Sequence, residues 1–305
     1  MPRPLGSSGR PLRRRSRETL DLRWLTARAW TNRWYPQGVD LGILDGRRTL
    51  AVSWFRQDRD RHHLASRVSF IDLERSRHRD VALVIEGPDG ELEPARIHVG
   101  GLAWFGDRLF AAATMQGIWE FDLARLRTVR GADARRLTGS LRRSALVAVR
   151  TRIHPVALRC SFLGRVFDAD GEPLPRVLIG EYRTGEDGRI GEFLMPAREG
   201  DGFAAVENGL IAPGIPQLQG AVRWGATYFA SQSDQLRPGA LWTGPAGALR
   251  RAAQPLPAGC QDLALDPDAR MLWSLGEHPW RRVVRGIPFA RLGIEHPRGE
   301  RRLDG

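Results

Sequence analysis

Two glutamates in this chain each follow directly on an apolar stretch that reads as a β-strand: Glu181 in LIGEYR and Glu277 in WSLGEHP. Carboxylate oxygens suit Ca²⁺ or Mg²⁺, and imidazole beside them admits Zn²⁺ or Mn²⁺. Imidazoles are present in His98, His154 and His278, and side-chain amides in Gln37, Gln219, Gln232 and Gln261. A cation held by Glu181 and Glu277 would polarise a carbonyl and activate water, which is the chemistry of ester or lactone hydrolysis. The general base expected for it is His98 or His278, because imidazole titrates near working pH. Each Glu also has a plainer duty open to it, accepting bonds from neighbouring backbone amides or pairing with Arg183 or Arg56.

These residues act together only if the fold gathers them, and the sequence carries a pattern that does so. A short apolar strand, a turn, a second apolar strand and a polar tip recur at Gln37 to Arg56, Gly100 to Asp122, Gln219 to Ser233 and Gln261 to Pro279, with an interrupted copy from Val156 to Arg183. Strand-only units repeated at intervals of tens of residues predict an all-β protein, a β-propeller. Five copies predict five blades. A sixth would need a degenerate blade within residues 125 to 150, and a two-sheet sandwich gives no reason for the recurrence.

Consecutive strands of a blade are antiparallel, so the start of the innermost strand and the end of the second lie at one edge. Gln37, His98, His154, Gln219 and Gln261 with Asp262 stand at the first position. Arg56, Thr114, Glu181, Gln232 with Ser233, and Glu277 with His278 stand at the second. One mouth of the channel is therefore expected to carry a polar ring able to bind a small molecule. A non-catalytic propeller is the alternative, holding a ligand or protein partner at the mouth or on Trp54, Trp104, Trp224 and Trp280, although such aromatics more often pack between blades.

Composition narrows the classes further. The 305 residues carry a formal charge of +12, and all 47 basic positions are Arg. Arg3, Arg10, Arg13, Arg14 and Arg15 sit in a Pro-, Gly- and Ser-rich leader, and the others are scattered among acids. No nucleic-acid module accompanies the charge, which argues against that partner. No apolar run approaches the ~18 residues of a membrane span. The leader lacks the apolar core of a secretory signal, so the chain as written reads as cytoplasmic, with secretion left open. Cys160 and Cys260 fit no metal or redox spacing and read as buried thiols.

Residues 1–19 are expected to form an unstructured basic leader, 20–292 a single propeller domain and 293–305 an unstructured tail. The segment after Leu20, with Trp24, Trp30 and Trp34, is assigned the closing outer strand of the last blade, a plugging helix being the alternative. RGADARRLTGSLRRSA is expected as a surface loop, with the third blade starting near Leu146.

GGLAWFGDRLFAAATMQGIWEFDL, together with QGVDLG at Gln37 to Gly42, resembles the blade units of bacterial propellers of the gluconolactonase, arylesterase and strictosidine-synthase-like group and of the glutaminyl-cyclase propellers. The likeness spans most of residues 35 to 290 in rhythm. In the lactonase-like group a calcium or related ion sits in the channel on carboxylates and amides, a set that Glu181, Glu277, Gln37, Gln219 and Gln261 resemble in chemistry. No Asn occupies the aligned rim positions here. The cyclase opening resembles Gln37-Gly38-Val39, but Ser53-Trp54-Phe55 stands where that group has its acid, so its activity does not carry over.

Overall fold

The computed structural model describes residues 10–294 apart from 17, 26, 142 and 199. The chain begins with two paired antiparallel strands, β1 (Arg10–Ser16) and β2 (Leu20–Trp24). Five up-and-down meanders follow. The first is β3 (Trp34–Leu44), β4 (Arg47–Gln57), β5 (His63–Asp72) and β6 (Arg77–Glu86), with a short β7 (Leu92–Pro94) added at its edge. Asp45 and Gly46 join β3 to β4 at φ of 51° and 71°, the doubly positive conformation that an Asp-Gly pair adopts in a tight hairpin.

The second meander is β8 (Leu102–Phe105), β9 (Arg108–Ala112) and β10 (Ile118–Asp122). It continues, past β11 (Arg127–Arg130), into β12 (Ser144–His154), which pairs with β10. The third is β13 (Phe162–Phe167), β14 (Pro173–Gly180), β15 (Ile190–Leu194) and β16 (Ala204–Ile211). The fourth is β17 (Leu218–Trp224), β18 (Thr227–Gln232), β19 (Pro238–Gly244) and β20 (Arg250–Ala258). The fifth has β21 (Cys260–Asp266), β22 (Met271–Gly276) and β23 (Val283–Pro288) from its own stretch of chain. Its fourth strand is β2, which pairs with β23 and joins the two ends of the ring.

The protein is a five-bladed β-propeller, and its core is the five layers between neighbouring blades. Phe70 and Trp104 share one buried cluster from blades one and two, Phe110 and Ile179 one from two and three, Leu178 and Tyr228 one from three and four, Phe229 and Leu272 one from four and five, and Trp273 and Trp54 one from five and one. A central strand is covered on both faces, so TLAVSWF of β4 is buried at every residue instead of alternating. Trp54, Trp104 and Trp224 are thus packing residues, while Trp280 is 75 % exposed.

Three expectations are corrected. Residues 146–154 do not open the third blade but belong to β12, the outer strand of the second; an apolar alternation looks alike in either place, and pairing with β10 and β6 decides. RGADARRLT is no loop but the helix α1 (Gly131–Thr138), which buries Ala134 and Leu137 and ends at Gly139, at φ 60°. Residues 10–16 of the leader form β1, because β2 and the edge of β6 offer it unpaired backbone and Leu12 finds a buried seat. Residues 1–9 and 295–305 lie outside the described residues. Among the described residues, no helix is long and apolar enough to cross a membrane.

Candidate functional site at the channel mouth

Gln37 is the residue on which the mouth is built. It lies on β3, almost fully buried, and its Nε2 donates to the Pro36 carbonyl at 3.0 Å and to Oε2 of Glu277 at 2.6 Å. That fixes Oε1 as the acceptor facing His98 Nε2 at 2.9 Å, so His98 carries its proton on Nε2. His98 Nδ1 then accepts from Thr114 Oγ1 at 3.3 Å. Thr114, His98, Gln37 and Glu277 form one directional chain of bonds across blades two, one and five.

The surroundings tune both ends. Burial pushes the Glu277 carboxyl up to about 7, against the opposing pull of the Gln37 bond and the Arg282 charge. Arg282 itself is driven down to about 10 by burial and still carries its charge at neutral pH. Burial, aided by the charges of His63 and Arg159, drives His98 down to about 4, leaving a neutral imidazole. Phe55 meets the His98 ring edge-on at 4.5 Å, and Tyr35 stacks on Phe55 at 5.5 Å, giving the mouth an apolar wall.

Below the mouth the axis is nearly closed. A Cβ on Gly38 would lie 2.8 Å from the Gly101 backbone, and one on Gly220 2.7 Å from Asp262 Cα, so glycine lets the inner strands approach. The fifth blade has Asp262 at the aligned position. Its Oδ2 accepts from the backbone amides of Val39 at 3.1 Å and Leu102 at 3.2 Å, while Oδ1 is buried without a partner. Burial raises this carboxyl well above the usual range, and the nearby charge of Asp40 adds to the effect. Asp40, which stands outside the expected ring, ties three blades together: it accepts from Trp104 N at 2.7 Å and pairs with Arg165 at 2.9 Å. An acid inside an otherwise apolar strand was the available signal.

The structure brings together only part of the expected ring. Gln37, His98 and Glu277 meet. Gln261 is buried at the start of β21, with Nε2 on the Gly259 carbonyl at 3.3 Å and Oε1 unpartnered, and Gln219 is half-buried at the start of β17. Gln232 is committed to Trp242, whose Nε1 it accepts at 2.9 Å. His154, expected at an inner strand, ends the outer strand of blade two and bonds Glu120 at 2.7 Å, the consequence of the reassigned β12. Arg56 leaves β4 toward Gly139 at the end of α1, and the His278 ring lies over Gly259 with Nε2 buried and unpartnered. Arg282, Arg159 and Tyr35 were missed, since nothing in their local sequence marks them.

A divalent cation does not fit the expected pair. Glu181 is clamped by Arg189 at 2.7 and 3.2 Å and approached by Arg183 at 3.4 Å, and these guanidiniums hold its carboxyl below the usual range. A cation there would face two fixed positive charges. Among the described residues, the cluster of three or more His, Cys, Asp or Glu with metal-ligand spacing is Asp58, Asp60 and His62, exposed on the β4–β5 hairpin. Cys160 and Cys260 are free and buried; burial pushes the Cys260 thiol up to about 12, so neither site favours a thiolate.

No family model matches the chain, and no curated protein matches it. Among solved structures it is similar to a β-propeller domain from Myceliophteria thermophila, at 13% identity over 83% of this chain and 96% of that one, with a TM-score of 0.40. It is also similar to a gluconolactonase from Xanthomonas campestris, at 14% identity over 92% of this chain and 86% of that one, with a TM-score of 0.42.

Proposed function

We propose that the protein binds a small molecule at this mouth and hydrolyses an ester or lactone there, with Glu277 as the acid–base group. The observation that carries the reading is the 2.6 Å bond from Gln37, which aims a carboxyl with a pKa of about 7 at the channel mouth. A carboxylate matched to neutral pH takes a proton from water as that water adds to the carbonyl carbon. The same proton goes to the departing alkoxide oxygen when the tetrahedral intermediate collapses, so the carboxylate is regenerated. Arg282 supplies positive charge beside it, and the Tyr35–Phe55 wall excludes water. His98 is a positioning residue in this scheme: a neutral imidazole that orients the Gln37 amide. No step calls for a metal.

The test is hydrolysis of a panel of lactones and aryl esters by the native protein and by Glu277→Gln. Turnover that rises through pH 7 and is lost in the variant supports the reading; turnover unaffected by the variant sinks it. The non-catalytic alternative has its own observation. Trp280 stacks on Trp30 at 5.5 Å on the same face, both exposed, as in a surface that holds a partner. Absence of turnover together with saturable ligand binding would favour it.

A further inference from the structure

Beside the mouth, on the rim of blade one, lies a hollow of about 500 Å³ whose lining is dominated by Arg33, Arg56, Arg59 and Arg61. Other arginines of this protein are spoken for: Arg285 forks onto Asp21 at 2.7 and 2.8 Å, Arg165 onto Asp40, and Arg189 onto Glu181. These four are different, since none has a side-chain hydrogen bond or ion pair among the described residues. The acid in the lining, Asp58, is already engaged by the His62 amide at 2.9 Å and ring at 3.2 Å. Arg56 reaches from this lining to the end of α1, where its guanidinium lies in the space that a Cβ on Gly139 would occupy.

We propose that this hollow is a binding site for a small phosphorylated molecule. Four arginines in the lining against Asp58, with Asp60 next to it on the same hairpin, leave an excess of positive charge, and the planar fork of Arg matches pairs of phosphoryl oxygens. The volume lies within the roughly 300–1,000 Å³ typical of small-ligand pockets. Asn32, Gln57 and Tyr35 add hydrogen-bonding groups, and Tyr35, which stacks on Phe55, links the hollow to the mouth without any part of the mouth chemistry being needed for binding.

The experiment is calorimetric titration of the full chain with pyrophosphate, with acetate as the singly charged control and a single-stranded oligonucleotide as the macromolecular one. The expected result is saturable one-to-one binding of pyrophosphate, none of acetate, and about tenfold weaker binding in each of Arg59→Gln and Arg61→Gln. Both positions are exposed, so these variants should fold, which an unchanged melting temperature checks. Arg59→Lys, which keeps the charge but loses the fork, falls between. Pyrophosphate binding that is non-saturable or indifferent to the variants overturns the proposal. So does oligonucleotide binding that is tighter and more steeply salt-dependent than that of pyrophosphate, which would assign the patch to nucleic acid. Glu277→Gln retains the binding, so failure here and failure of the hydrolase reading register separately.

Discussion

The Gln37 amide donates to the Glu277 carboxylate across 2.6 Å, joining residues 240 positions apart in sequence. One blade thereby sets the geometry and the acidity of a side chain on another. Truncation to Gln37→Ala removes the bond that lowers the Glu277 pKa, so the acidic limb of the pH–rate profile should move above 7. The expected loss in kcat/KM is on the order of tenfold, since Glu277 itself remains. An unshifted limb would show that Gln37 does not position the acid.

Glu277 also predicts how stability varies with pH. Its folded pKa, about 7, is raised above the ordinary 4.5, so the folded state holds its proton more tightly than the unfolded chain. Its contribution is therefore complete below pH 4.5 and is lost as pH rises through 7. In urea titrations the native protein should lose about 2 kcal/mol over that window relative to Glu277→Gln. A constant difference between the two proteins would contradict the raised pKa.

Asp262 is held by two backbone amides from other blades in a site that favours its neutral form. Asp262→Asn should thus keep stability within about 1 kcal/mol at low pH and exceed the native protein as pH rises, because a raised carboxyl pKa costs stability at high pH. Asp262→Ala strands both N–H groups and should cost about 2–4 kcal/mol. Chemical unfolding of the two variants side by side provides the comparison.

Glycine at the axis permits closure of the ring. A methyl group at Gly164 would overlap the carbonyl oxygen of Ala221 on the next inner strand, whereas one at Gly202 meets nothing. Gly164→Ala should lose about 3 kcal/mol or fail to fold. Gly202→Ala should be neutral or gain up to about 1 kcal/mol by stiffening the unfolded chain. Equal melting temperatures for the pair would rule out close contact between blades three and four.

Much of the ring was legible because hairpins are local. QGVDLGILDGRRTLAVSWF announces two apolar strands and the Asp-Gly turn between them, and the rim positions follow from strand direction alone. The third blade was not legible in the same way. SALVAVRTRIH is strand in any reading, and only its pairing with β10 and β6 assigns it to blade two and carries His154 away from the axis.

The sequence by itself favoured five blades over six, a closing strand over a plugging helix for the segment after Leu20, and a polar ring at one mouth that includes Gln37, His98 and Glu277, because each depends on hairpin geometry or on repetition of it. Only the tertiary structure decided the electrostatic surroundings of those residues. Glu181 and Glu277 end equivalent strands, yet arginines clamp the first into a permanent anion while burial holds the second near neutrality. That difference comes from charges and solvent exclusion supplied by chain segments distant in sequence, which no local pattern encodes.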